Sequence, residues 1–121
     1  MFIAYCVLAL VYAVMLAFSG VTKLQHHPDA VQIIHERVGV PLAFFPLLAA
    51  CEFAAAIGLV AGIRWPTLGL AAATGAGVYF AGAILSHVRV GDVAGIGGAA
   101  FMLVVALVLL ALRMKTRRRT L

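Results

Sequence analysis

The sequence predicts an all-α fold, an integral membrane four-helix bundle with a short external interfacial helix between helices 1 and 2. Three observations predict it. Of the 121 residues, 65% are apolar and 11% charged, with mean hydropathy +1.14; soluble domains run at about 45–50% and about 25%. A chain this short has too much surface to hide that excess in one core. Stretches of roughly 20 residues with at most one charged side chain recur, and that is the length a helix needs to cross about 30 Å of hydrocarbon. Finally, runs such as Ala99-Ala100-Phe101-Met102-Leu103-Val104-Val105 do not alternate in polarity as a membrane β-strand would. Disorder is excluded by the same composition, since low hydropathy and high charge are what keep a chain unfolded.

The first span covers residues 2–22, with no charge from Met1 to Thr22. Ala17-Phe18-Ser19 resembles a cleavage site, but the segment lacks a basic leader and is longer than the roughly 7–15 apolar residues of a signal peptide. It is therefore expected to be retained. The second span, residues 42–63, holds only Glu52; the third, 66–86, and the fourth, 93–112, hold no acidic or basic residue apart from the bordering His87. Residues 1–112 make a single transmembrane domain on this reading, and 113–121 a basic tail.

Between the first two spans, Pro28 suits a first helical position, Asp29 the positive end of a helix dipole, and Gly39 a C-terminal cap with Pro41 just beyond. Val31, Ile34 and Val38 share one face of this segment, which fits a short helix at the membrane surface. His26, His27 and His35 fall in it, but no two stand four apart as a helical metal pair would, and no cysteine is near. They are read as solvated histidines, with no metal.

Four spans put both termini on one side with Arg64, Arg113, Lys115, Arg117, Arg118 and Arg119. The other side holds Lys23, Arg37 and Arg89, offset by Asp29, Glu36 and Asp92. The basic excess places both termini in the cytoplasm. The tail would then lie against anionic head groups. This accounts for the net charge of +5 without nucleic acid. Cys6 and Cys51 differ in depth by more than a disulfide allows, and without a Cys-x-x-Cys motif they are read as packing residues.

Glu52 is the informative residue. A carboxylate inside a bilayer costs a few kcal/mol and must face protein or water. Counting from Pro46, it lies about 9 Å below the outer surface and roughly 16 Å from Ile63. Lys23 and His87 each lie about 31 Å along their helices, at the outer interface, with Ser19 one turn and Tyr79 two turns deeper. The reading is a polar pocket open to the outer face, built from Ser19, Lys23, Glu52, Tyr79, His87 and Arg89. A Glu52–Lys23 or Glu52–Arg89 ion pair that only holds helices in register is the competing reading. Tyr5, Tyr12 and Ser19 form one stripe of the first helix, and Gly75, Tyr79, Gly82 and Ser86 one of the third. Gly69, Ala73, Gly77 and Ala81, with Gly58 and Gly62, read as close helix packing, against a neighbour in the chain or a second copy.

Phe18-Ser19-Gly20-Val21-Thr22-Lys23-Leu24, Gly39-Val40-Pro41, the Glu52 segment to Gly58 and Gly62, Arg64-Trp65-Pro66 and His87-Val88-Arg89-Val90-Gly91-Asp92 resemble the DoxX-like family of small four-helix bacterial membrane proteins. The resemblance runs from about residue 5 to 112. It implies association with membrane sulfur and quinone redox systems or oxidative-stress partners, and carries over no catalytic residue. Three functions stand open: an accessory or quinone-associated component of a membrane redox system, with other subunits of that system as partners; a small proton-coupled transporter using Glu52; and a structural membrane anchor or assembly subunit. The first implies a quinone as cofactor, its head group hydrogen-bonded and nothing bound covalently; the sequence has no haem-ligand pair and no flavin motif.

Overall fold

The computed structural model describes residues 1–118; Arg119, counted above with the basic tail, lies outside the described residues. Helix α1 spans Phe2–Leu24. A short segment follows, begun by α2 (Pro28–Ala30) and continued in wide π turns over Val31–Arg37. A 3-10 turn at Leu42–Phe44 leads into α3 (Phe45–Ala61), and α4 (Pro66–Arg89) and α5 (Val93–Lys115) complete the bundle. Among the described residues, four helices, counting α3 with its leading turn, are long and apolar enough to cross a membrane.

The connections are short, so successive spans run antiparallel. Proline starts two of them: Pro46 stands in the first turn of α3 and Pro66 in that of α4, where a missing N–H costs no hydrogen bond. Gly39 and Gly91 close their turns at φ +86° and +71°, a left-handed backbone that a Cβ disfavours. Helix α1 packs chiefly on α3, α3 on α4 and α4 on α5, with a lighter α1–α5 contact closing the ring.

The bundle buries alanines, two tyrosines and a few large apolar side chains, and leaves many more large apolar ones outside. Tyr5, Tyr12, Leu59 and Leu109 are buried among Ala9, Ala73, Ala76 and Ala106, whereas Val7, Phe18, Ile57, Val78, Leu85 and Phe101 are exposed. Water would penalise that surface, but lipid tails are as apolar as leucine, so helices in a bilayer associate through close packing and interhelical hydrogen bonds. Both occur. Tyr5 Oη donates to the Leu59 carbonyl at 2.8 Å and Tyr12 Oη to the Met102 carbonyl at 2.7 Å, tying α1 to α3 and α5.

The small-residue stripes face neighbours within the chain. A Cβ on Gly58 would stand 2.7 Å from the Ala72 Cβ, and one on Gly62 would fall against the Gly69 backbone. Neither Gly62 nor Gly69 has a flexible side chain with which to yield. Gly62→Ala is therefore expected to lower stability by about 1–3 kcal/mol, read as a fall in the thermal midpoint of the detergent-solubilised protein. An unchanged midpoint would mean that α3 and α4 lie farther apart there.

The termini end of the bundle corrects one expectation. Arg113, assigned to the basic tail, is fully buried in α5, which continues to Lys115. Its Nε donates to the Gly62 carbonyl at 2.8 Å, Nη2 to the Ile63 carbonyl at 3.3 Å and Nη1 to the Thr116 carbonyl at 2.6 Å. The Phe2 and Tyr5 rings each lie 5.3 Å from the guanidinium carbon. The last carbonyls of a helix lack partners within it. Arg113 supplies donors to those just beyond α3 and lies against two aromatic rings of α1, joining three spans.

Candidate functional site

The opposite end of the bundle holds the predicted polar residues. Lys23 is in the last turn of α1 and Glu52 near the middle of α3; the α1–α3 packing brings them together, with Lys23 Nζ 2.6 Å from Glu52 Oε1. The carboxylate side chain is 1% exposed and the ammonium side chain 9%. Lys23 Nζ also donates to Ser19 Oγ at 2.8 Å, one helical turn away. Tyr79, from α4, brings its hydroxyl toward the same carboxylate. Beyond the Lys23 pair, no well-formed hydrogen bond reaches either carboxylate oxygen from the described residues. An ionised carboxylate has about four acceptor sites, so Glu52 keeps acceptor capacity in a place where water is scarce.

Cavities lie on both sides of Tyr79. The first, about 600 Å³, runs between α3 and α4 past Cys51, Glu52, Ala55, Gly58, Ala72 and Gly75. Its shape follows from sequence: alanine and glycine face each other across the two helices, leaving an apolar slot with Glu52 and Tyr79 as its polar end. The second, about 650 Å³, opens toward the connecting segment and takes in Ser19, Lys23, Tyr79, Ser86 and His87. Val78, Tyr79 and Phe80 line both cavities. The Phe80 ring stands edge-on to Tyr79 and to Tyr12, with centroids 4.9 and 6.5 Å apart, so Tyr79 and Phe80 form the partition.

The segment between α1 and α3 roofs the second cavity. Ile34, Val38 and Val40 turn toward it, and Val38 is 5% exposed. Arg89 holds this roof: its Nη2 donates to the Val38 carbonyl at 3.3 Å. Arg89 was expected in the polar cluster, yet it is spent on the roof and makes no ion pair with Glu52. The other five predicted residues line one or the other cavity.

The loop histidines diverge. His27 caps α2 by accepting from the Asp29 N–H at 3.2 Å, His35 Nδ1 lies 2.8 Å from the Val40 carbonyl oxygen, and His26 stands edge-on to Phe45. Among the described residues no three His, Cys, Asp or Glu side chains gather as a metal site. Cys6 and Cys51 are free.

His87 has a partner that the sequence reading left on the rim. Its Nδ1 is 3.0 Å from Asp92 Oδ2, across the turn between α4 and α5, with side chains 10% and 13% exposed. Such a carboxylate fixes ring orientation and tautomer, leaving Nε2 as the ring's other polar atom. Gly95 makes room for the pair, since a Cβ there would collide with the His87 ring and stand 2.7 Å from Asp92 Oδ2. Gly95→Ala is expected to separate the two, and the ring-nitrogen NMR signals of His87 should lose the signature of a hydrogen-bonded Nδ1; unchanged signals would contradict this seating.

No curated protein and no solved structure matches the chain. The model of the DoxX-like family matches residues 7–112, a stretch that includes α3, α4, the roof and both cavities. With four membrane-length helices and a family match over most of its length, the chain belongs to the DoxX-like family of membrane proteins.

Proposed function

We propose that this protein is an accessory, quinone-associated component of a membrane redox system. It takes the ligand's head group at Glu52 and Tyr79 and its isoprenoid tail in the apolar slot between α3 and α4. The observation that supports this reading most is the buried Glu52 carboxylate with acceptor capacity to spare at the polar end of an otherwise apolar cavity. Ligand sites pair an apolar wall with a few convergent polar groups in this way. A carboxylate only accepts hydrogen bonds, whereas a tyrosine hydroxyl also donates. Glu52 therefore suits a quinol hydroxyl, and Tyr79 can serve a carbonyl or a hydroxyl. The basic excess at the termini end favours termini in the cytoplasm of a bacterial inner membrane, with the roofed cavity facing outward.

Lipid extraction of the protein purified in mild detergent tests the reading. Wild type should carry quinone near one equivalent, and Tyr79→Phe combined with Glu52→Gln should lose most of it. Quinone no more abundant than on an unrelated four-span protein would overturn the proposal. A proton-coupled transporter draws on the same buried carboxylate. It would instead carry protons into liposomes, with the flux abolished by Glu52→Gln.

A further inference from the structure

The charge of this chain is divided along the bundle. Among the described residues, the termini end carries Arg64, Arg113, Lys115, Arg117 and Arg118 with no acidic residue, whereas all four Asp and Glu residues lie elsewhere, among Lys23, Arg37 and Arg89. Five described positive side chains thus stand at one end, against a net charge of −1 over the charged side chains elsewhere. Arg113 is turned inward onto carbonyls. Lys115, Arg117 and Arg118 are exposed and form no ion pair among the described residues. They line a separate cavity of about 480 Å³, whose other walls are Met1, Phe2, Met114 and Thr116.

From this we infer a binding site for an anionic phospholipid, distinct from the Glu52 cavity and independent of its proposed ligand. The position and the lining choose the occupant. The cavity lies where α1 begins and α5 ends, at the boundary of two membrane-length helices, so a phosphate there sits at head-group depth. Three cations offer it donors, Arg117 and Arg118 with the planar fork that matches phosphate oxygens. Phe2 and Met114 offer the adjoining glycerol and first acyl carbons an apolar wall. A free phosphate would use the cations and leave that wall wet. A lipid uses both.

The test is the thermal midpoint of the full chain in a non-ionic detergent, titrated with phosphatidylglycerol, phosphatidylcholine or inorganic phosphate. Phosphatidylglycerol should raise the midpoint saturably, and the other two should not. At roughly fivefold per basic residue near a charged surface, the triple variant Lys115→Gln, Arg117→Gln, Arg118→Gln should need roughly a hundredfold more lipid. Arg37→Gln, at the far end, should behave as wild type. Equal responses to phosphatidylcholine, an equal response to inorganic phosphate, or an unshifted titration in the triple variant would each overturn the site. All four substitutions are on exposed side chains, so the fold is retained for the comparison.

Discussion

Glu52→Ala should destabilise the bundle by about 3 kcal/mol, because removing one member of a buried ion pair leaves the other charge uncompensated. Lys23 would keep only Ser19 Oγ and would have to reach for the membrane surface along its flexible stem. Glu52→Gln retains volume and an acceptor oxygen and should cost about half as much. Substituting His26 or His27, both exposed, should stay within about 0.5–1 kcal/mol, and the half-buried His35 should also cost less than Glu52→Ala. Chemical unfolding in mixed micelles measures all of these. A Glu52→Ala variant as stable as wild type would mean that the pair carries no stability. The pair-deletion variant Lys23→Met, Glu52→Met removes both charges and keeps apolar bulk; it should recover most of the loss, as replaced buried pairs commonly do.

Arg113→Ala should cost about 3–5 kcal/mol, the largest effect in the chain. The side chain is fully buried and donates to carbonyls of Gly62, Ile63 and Thr116. Hydrogen bonds from a charged donor contribute about 1.5–3 kcal/mol each, and carbonyls left bare in a bilayer are costly. The void left beside Phe2 and Tyr5 adds to the loss. Arg113→Lys should recover less than half, since a single ammonium cannot span the Gly62 and Ile63 carbonyls and the Thr116 carbonyl together. The midpoint of unfolding checks both variants. If Lys restored full stability, charge alone rather than the fork would be what α5 supplies.

These two residues also show what the sequence displayed and what it concealed. The four spans were legible because hydropathy sets them; the Glu52–Lys23 pair was only one of two ion pairs on offer, because helical rise leaves Lys23 about 9 Å above Glu52 and the flexible lysine stem closes that gap. Pro28 and Gly39 marked the short helix correctly, but nothing in its residues signals the π turns over Val31–Arg37 or its role as a roof. Charge misled at the helix ends. Arg89 read as a pocket residue and Arg113 as a tail residue, yet each satisfies carbonyls of a neighbouring segment, and carbonyl positions depend on packing rather than on residue type. Asp92 was legible only as a rim charge, because its approach to His87 needs the turn at Gly91 and the cleared space at Gly95. The slot between α3 and α4 was half visible: alanine and glycine announced close packing, but not where that packing opens beside Cys51 and Tyr79.

Under the proposed function, Glu52 does more than hold α1 against α3 through Lys23. The most direct measurement is the quinone content of the purified Lys23→Met, Glu52→Met variant beside wild type, each first checked for an intact unfolding transition. The prediction is a stable bundle that has lost its quinone, while wild type holds about one equivalent. A stable variant with quinone equal to wild type, or wild type with none, would contradict it.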